Sequence, residues 1–168
     1  MIKLIRVDDR LIHGQAQIVL IKQYEAQDII VIDDYTATNE AMKNLMKSVV
    51  PVGVRAVPIT KERAPEVLRK AAANSKNVIV LTRVPSVYVD CFKEVPELPK
   101  ELNVASIQAK GADMFLHDAN GNDLPPFHVT QEEVDAIHEI ANMGVHVYLN
   151  LVPGRTERYE WDDIKAKN

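Results

Sequence analysis

Short runs of apolar, mostly β-branched residues recur along the chain and alternate with segments of helical periodicity. Five such runs predict β-strands: residues 2–7, 28–33, 54–59, 77–81 and 145–149. The runs at 29–32, 78–81 and 145–149 show little polar alternation, which is typical of strands covered on both faces. We therefore expect a sheet that lies between two layers of helices.

The segments between these runs predict helices at residues 14–24 and 39–50, from about Pro65, and between Pro85 and Pro96. Thr130 and Glu133 form a capping box that opens a helix over 131–143, and Gly144 follows it. The interval 103–129 is less regular and contains a cluster of turn residues at 118–123. The tail at 155–168 predicts either a short helix packed by Trp161 or a segment that serves a partner.

The repeated strand–helix–strand order predicts parallel strands joined by right-handed crossovers. The fold class that we expect is α/β: an open doubly wound, mostly parallel sheet with helices on both faces. An antiparallel edge strand or a hairpin is expected near 103–129. A chain of 168 residues predicts a single domain over 1–168.

Composition excludes several classes of protein. A hydrophobic fraction of 46% with a net charge of −4 argues against a disordered chain and against a basic nucleic-acid-binding surface. The single cysteine, Cys91, cannot form an internal disulfide. Residues 1–7 indicate a strand rather than a signal peptide, and no apolar run approaches the ~20 residues of a membrane helix. We therefore expect a cytoplasmic protein.

The richest candidate site follows the first strand, because ligands of open α/β sheets bind beyond the carboxyl ends of strands. Asp8, Asp9, Arg10, His13 and Gly14 stand there, just before the first helix. An anion is favoured at a helix N-terminus, and the guanidinium fork of Arg10 fits phosphate oxygens. Asp8 or Asp9 could fix the tautomer of His13. The set predicts a histidine that accepts and releases a phosphoryl group; a solvated loop with a surface ion pair is the alternative.

Other polar residues are weaker candidates. Asp33 and Asp34 end the second strand and could line the same crevice as His13, although helix capping explains such residues equally well. Neither His117 nor His128 has a second ligand at metal spacing, so we predict no metal site and no cofactor. His138 and His146 are assigned to the surface of a helix and to packing within the last strand.

Arg6 to Gln15, read as Arg-Val-Asp-Asp-Arg-Leu-Ile-His-Gly-Gln, resembles the phosphorylation segment of a family of proteins. The family is the IIB components of the mannose/fructose/sorbose family in the bacterial phosphoenolpyruvate-dependent sugar phosphotransferase system. Further resemblance lies at Val31-Ile32-Asp33-Asp34, with Ala37 and Asn39 after it, and at 131–149 with Val152-Pro153. The resemblance implies that His13 is phosphorylated and Arg10 stabilises the phosphate. Asp8, Asp9, Gly14 and Gln15 would shape that loop, and Asn39 would join Asp33 and Asp34 in the crevice.

The resemblance also implies partners and an activity. His13 would take the phosphoryl group from a phosphohistidine of a IIA protein and pass it to a sugar that the IIC/IID membrane complex translocates. The chain would then be a free-standing protein-N(π)-phosphohistidine–sugar phosphotransferase, attached to the inner face of the cell membrane through its partners. It would need no cofactor, and a homo-oligomer is one further arrangement to consider. Four residues depart from the family pattern: Ala16, Leu20, Ala105 and Ser106.

Three other functions fit an α/β chain with an acidic loop. A receiver-like regulatory module would need a phosphoacceptor Asp after the third strand, where this chain has Pro58. A histidine-phosphatase-like enzyme would need Arg next to His13 rather than three residues before it. A nucleotide-binding domain would need a glycine-rich phosphate loop, and the sequence has no such motif.

Overall fold

One sheet of ten strands organises the fold, as seen in a computed structural model that describes residues 1–12 and 14–166. The strands are β1 (Ile2–Asp8), β2 (Asp28–Ile32), β3 (Arg55–Ile59), β4 (Val78–Thr82), β5 (Glu101–Gln108), β6 (Met114–His117), β7 (Asp123–Val129), β8 (His146–Leu149), β9 (Tyr159–Glu160) and β10 (Lys165–Ala166).

Six α-helices are found in the part of the chain that the structure describes. They are α1 (Gly14–Gln23), α2 (Asp34–Thr38), α3 (Glu40–Ser48), α4 (Ala64–Ala72), α5 (Ser86–Glu94) and α6 (Gln131–Asn142). None of the helices in these described ranges has the length and apolar character that a membrane crossing requires.

The central part of the sheet has the strand order β3-β2-β4-β1-β5-β8, and every neighbouring pair in it is parallel. The connections that contain α1 and α3 run toward β3, whereas those that contain α4, α5 and α6 run toward β8. Because crossovers are right-handed, the two directions place helices on opposite faces. Accordingly, α1 and α3 pack in one core of buried apolar side chains, and α4, α5 and α6 in the other. The doubly wound α/β prediction is confirmed.

The interval 103–129 contains the predicted hairpin and also a strand that the apolar pattern missed. Strands β6 and β7 pair antiparallel around a turn at Asp118, and β7 extends the sheet beside β5. Strand β5 lies inside the sheet between β1 and β8. It was missed because two of its buried positions hold the polar residues Asn103 and Ser106.

Two other segments differ from the expected elements. The helix expected over 39–50 is α3, and a further short helix, α2, precedes it without having been expected. The side chain of Asn39 caps α3 by accepting a hydrogen bond from the Met42 N–H at 3.1 Å. The tail forms a short 3₁₀ turn, Trp161–Asp163, between β9 and β10, rather than a helix. These strands pair with β8 and β6, so the tail is part of the sheet. The assignment of 1–168 to a single domain stays a prediction.

The first turn of α6 shows the hydrogen bonds that the sequence predicted. One carboxylate oxygen of Glu133 accepts from the backbone N–H of Thr130 at 2.8 Å and from its hydroxyl at 2.6 Å. Gly144 follows the helix with φ of 79°, a left-handed conformation that glycine adopts without strain.

We expect Glu133→Ala to lower the free energy of unfolding by about 1 kcal/mol, because it leaves the Thr130 N–H without its side-chain acceptor. Urea denaturation measures this difference. Glu132→Ala is the matched control, since it removes an acidic residue from the same helical turn and leaves the two Thr130 bonds in place. Equal losses in the two variants would assign the effect to helix charge rather than to the capping bonds.

Candidate functional site

The candidate site lies at the carboxyl ends of the central parallel strands. Asp8 ends β1 and pairs with Ser106 of β5, and the chain leaves β1 and β5 in opposite directions. Such a switch point opens a crevice above the strand ends. The candidate nucleophile His13 lies outside the described residues. The site is therefore built here from residues 8–12, from Gly14 and from their surroundings.

The carboxylate of Asp8 joins two arginines. Its Oδ2 accepts from Arg6 Nη2 at 2.9 Å and from Arg10 Nη2 at 3.0 Å, and its Oδ1 accepts from Arg10 Nε at 2.9 Å. Arg10 therefore grips the carboxylate with two parallel bonds, which is a strong and orienting arrangement for a guanidinium. The side chain of Arg6 is fully buried, and that of Arg10 is 33% exposed.

Burial and charge act in opposite directions on these groups. Burial alone would raise the pKa of Asp8, but the hydrogen bond from Arg10 and the charges of Arg6 and Arg10 outweigh it, so the pKa lies below its ordinary value of 3.8. Burial lowers the pKa of Arg6, and the hydrogen bond to Asp8 raises that of Arg10. Two cations share one anion, so the three side chains keep one net positive charge.

A buried polar network extends from Arg6 to the loop after β8. Arg6 donates to the side-chain oxygen of Asn103 and to the carbonyl of Leu151, the latter at 2.7 Å. Asn103 donates to the carbonyl of Asn150 at 3.1 Å, and the amide of Asn150 donates to the carbonyls of Thr156 and Glu157. The guanidinium of Arg6 is thereby fixed beneath Asp8 by contacts from three segments of the chain.

The backbone on either side of the candidate nucleophile is left-handed. Leu11 has φ of 53° and Gly14 has φ of 62°. For Leu11 this conformation costs about 1–2 kcal/mol. The residue keeps it because its side chain is buried, its N–H donates to the Asp8 carbonyl at 3.0 Å and its carbonyl accepts from Gln17 at 3.0 Å. At Gly14 an added Cβ would meet nothing within 4 Å, so the backbone angle alone favours glycine.

Asp9 is held by β5. Its N–H donates to the carbonyl of Ser106 at 3.2 Å, and the hydroxyl of Ser106 donates to its carboxylate. Ser106 thus uses the side chain that a glycine would lack to hold the loop. Both oxygens of Asp8 accept from arginines, and the expected role of Asp8 or Asp9 in fixing the tautomer of His13 stays a prediction. Gln15 lies exposed in the first turn of α1.

A second crevice opens between the ends of β2 and β4, whose connections also leave in opposite directions. It forms a groove of about 890 Å³ between α4 and α5, and Asp33 and Asp34 line it. That they share a crevice with His13 stays a prediction. Asp33 also caps α2, accepting from the N–H of Thr36 at 2.9 Å. Asn39 was expected to lie beside Asp33 and Asp34, but it does not line this groove. Its side chain instead caps α3.

The apolar pattern gave no role to Arg6, Asn103 or Arg83, which the structure places at the site. A charged residue inside a strand with two covered faces must be paired, so the position of Arg6 in the first strand was a usable signal. Arg83 directly follows β4, at a strand end where ligands bind. No signal in the sequence joined Asn103 to Arg6, because the pair depends on the register of β1 and β5.

The arrangement is suited to hold an anion rather than a metal. Arg10 uses Nε and one Nη2 hydrogen on Asp8, so the other hydrogens of its guanidinium remain for a further acceptor. Among residues 1–12 and 14–166, no cluster of three His, Cys, Asp or Glu side chains could bind a metal ion. A partly exposed, oriented cation beside a helix N-terminus is a phosphate-binding arrangement.

Comparison with known proteins identifies relatives along nearly the whole chain. The family described as PTS system sorbose subfamily IIB component matches residues 2–168. A probable phosphotransferase enzyme IIB component of Streptococcus pyogenes is 34% identical over 158 residues, which cover 94% of this chain and 95% of that protein. The sorbose-specific EIIB component of Lacticaseibacillus casei is 30% identical over 151 residues, covering 90% and 87%.

A solved structure supports the fold. The IIBSor domain of the sorbose permease from Klebsiella pneumoniae superposes with a TM-score of 0.80. The match covers 95% of this chain and 92% of that one, at 23% sequence identity.

We expect Asp8→Asn to destabilise the protein by about 3–5 kcal/mol near neutral pH, because it leaves the charge of Arg6 buried without a counter-ion. Chemical denaturation measures the loss. Asp162→Asn, at an exposed position, is the control and should change the unfolding free energy by less than about 0.5 kcal/mol. A loss from Asp8→Asn as small as that of the control would mean that solvent or another group neutralises Arg6.

The pH dependence of this difference follows from the lowered pKa of Asp8. Its ionisation stabilises the fold fully above its ordinary pKa of 3.8 and ceases to do so as the pH falls through the lower pKa of the folded state. The gap in stability between wild type and Asp8→Asn should therefore narrow as the pH falls below 3.8 toward the lower pKa of Asp8 in the folded state. A gap that stays constant with pH would contradict this assignment.

Proposed function

Because the chain belongs to the sorbose subfamily of IIB components, which are phosphocarriers in sugar uptake by the phosphotransferase system, we propose that His13 carries the phosphoryl group. IIB components are transferases that work with IIA and IIC/IID partners and a sugar. For this chain we propose the full activity of a protein-N(π)-phosphohistidine–sugar phosphotransferase. It would act in the cytoplasm, at the inner face of the cell membrane, through its IIC/IID partner.

The chemistry that we propose is two successive displacements at phosphorus. A neutral ring nitrogen of His13 attacks the phosphohistidine of the IIA partner; a new N–P bond forms while the donor's N–P bond breaks, and the donor imidazole leaves with that electron pair. A hydroxyl oxygen of the sugar then attacks the same phosphorus. An O–P bond forms, the bond to His13 breaks, and the freed imidazole takes up the hydroxyl proton.

The observation that best supports this proposal is the way in which Asp8 presents Arg10. Charge spreads over the equatorial oxygens of a phosphoryl group in transfer, and catalysis consists mostly of positioning and electrostatic stabilisation. Arg10 lies three residues before His13, is 33% exposed, and is oriented by two bonds to a carboxylate. Asp9 and Gly14 support the loop, and Gln15 stands at the start of α1 where a partner can reach it.

A homo-oligomer stays a prediction. The relatives give no support to the receiver-like, phosphatase-like and nucleotide-binding alternatives. They are IIB components, and this chain matches nearly their full length.

Phosphorylation of His13 is tested by labelling. Incubated with phosphoenolpyruvate, the two general phosphotransferase proteins and a cognate IIA, the chain should gain one phosphate that acid removes and base does not, as expected of an N–P bond. His13→Gln should abolish the label, since no other residue supplies the nucleophile. Mass spectrometry of the intact chain counts the phosphate.

The matched control is His138→Gln, which changes an exposed histidine on α6 and should leave labelling at the wild-type level. Label that persists in His13→Gln would overturn the assignment of His13. Absence of label in wild type with an active IIA would leave the resemblance as one of fold alone.

Arg10→Ala should slow phosphoryl transfer through His13 by about 10²–10³-fold, the usual effect of removing one oriented donor from developing negative charge. Arg10→Lys should recover part of the rate, because it restores a charge without the planar fork. Rapid-quench measurement of transfer from phospho-IIA reports both rates. Equal rates in wild type and Arg10→Ala would show that Arg10 is a surface charge with no role in phosphoryl transfer.

A further inference from the structure

Arg83 stands where the ends of three strands meet. It directly follows β4, and the last residue of β4, Thr82, pairs with Val7 of β1 on one side and with Ile32 of β2 on the other. A long side chain at this position can reach the loops that leave both neighbouring strands. The other arginine of the groove, Arg69, lies on α4 and donates instead to the carbonyl of Glu94 at 2.8 Å.

The guanidinium of Arg83 uses that position to join the two loops. Its Nη1 donates to the backbone carbonyl of Asp9, in the loop that leads to His13. Its Nε lies 3.4 Å from Oδ1 of Asp33, the residue that follows β2 and caps α2. The side chain of Arg83 is 41% exposed, and that of Asp33 is 16% exposed. The loop after β1 is thereby tied to a capped helix on the far side of β4.

Asp9 is thus held from two sides. Ser106 of β5 bonds to its N–H and its carboxylate, and Arg83 bonds to its carbonyl. Arg10 alone separates Asp9 from Leu11, whose left-handed backbone is unfavourable for a bulky side chain and needs support from its surroundings. A charge-assisted bond to the Asp9 carbonyl is such a support, and it acts on the peptide that precedes Arg10.

We propose that Arg83 is a positioning residue for phosphoryl transfer: by bonding the Asp9 carbonyl while paired with Asp33, it fixes the loop that carries Arg10 and His13. This inference rests on the proposed function of His13. Arg83 acts through the backbone of Asp9, so its loss should lower the maximal rate of transfer and leave the affinity for the phosphoryl donor unchanged. An exposed ion pair alone would contribute little to stability and nothing to the rate.

The test compares Arg83→Ala with Arg69→Ala, which removes the same charge from the same groove without touching the loop. Transfer from phospho-IIA is followed over a range of donor concentrations, which separates kcat from KM. For Arg83→Ala we expect kcat to fall about 10- to 100-fold with KM unchanged, because small misplacements of reacting groups cause losses of this size. Arg69→Ala should keep both constants, and Arg83→Lys should recover part of kcat because one ammonium can bond Asp9 but lacks the fork to hold Asp33 as well.

Two results would overturn the proposal. An unchanged kcat in Arg83→Ala would show that the bond to Asp9 does not affect the reaction. A raised KM with unchanged kcat would show that Arg83 contacts the donor protein instead. If Arg83→Ala fails to fold, Arg83→Lys is compared with Arg69→Lys instead. The proposal then requires that kcat falls in Arg83→Lys and stays unchanged in Arg69→Lys.

Hydrogen–deuterium exchange separates failure of this proposal from failure of the proposed function. Peptides that span residues 8–12 should exchange faster in Arg83→Ala than in wild type or Arg69→Ala, whether or not the chain is phosphorylated. Equal exchange would overturn the positioning role even if His13 is the phosphorylated residue. Faster exchange with no phosphate on wild-type His13 would overturn only the proposed function and leave Arg83 as the residue that fixes this loop.

Discussion

The ion pair between Arg6 and Asp8 is the interaction on which the candidate site depends. A fully buried guanidinium is costly unless it is paired. Asp8 supplies the opposite charge, and Asn103 and the Leu151 carbonyl accept further bonds from the two terminal nitrogens of Arg6. The same carboxylate holds Arg10 by two bonds. Arg10, the cation that faces solvent, is therefore oriented by a network whose other members, Arg6 and Asn103, are buried within the sheet.

Packing of the two cores supports the strained loop above that network. The side chain of Leu11 is buried with Leu4, Leu20 and Ile21 on the face covered by α1, so it cannot leave its left-handed conformation without exposing apolar surface. On the opposite face, the buried hydroxyl of Tyr88 lies 3.0 Å from the carbonyls of Arg6 and of Val80. The strand that leads to the site is therefore fixed from both sides of the sheet.

The sequence was informative where the structure depends on local pattern. Short apolar runs predicted β1, β2, β3, β4 and β8, and the order of elements predicted the doubly wound fold and the edge at which the site lies. Strand β5 was not predicted, because two of its buried residues, Asn103 and Ser106, are polar and bond to residues of the site instead of packing in an apolar core. Helix α2 was not predicted because its five residues are too few to show a helical periodicity.

The pattern of apolar and polar residues could not predict the contacts within the site, because these contacts join segments that are distant along the chain. Arg6 and Asn103 are 97 positions apart, and Arg83 and Asp9 are 74 apart. Such pairs are set by strand register and by which strands are neighbours, so the residues could be placed at one edge of the sheet but not paired. The bond between Arg6 and Asp8 was likewise not predicted, although Arg6 lies only two residues earlier on the same strand.

The sharing of Asp8 between two arginines also bears on what a phosphocarrier needs. An intermediate in a relay must be about as easily discharged as it is formed, so its stabilisation has to be limited. A free arginine would place its whole charge on a phosphoryl group, whereas Arg10 remains partly neutralised by the carboxylate that orients it. Because Asp8 must also balance Arg6, it cannot neutralise Arg10 fully, and one positive charge is left among the three side chains. Such a balance is suited to hold an anion without preventing its transfer to the next acceptor.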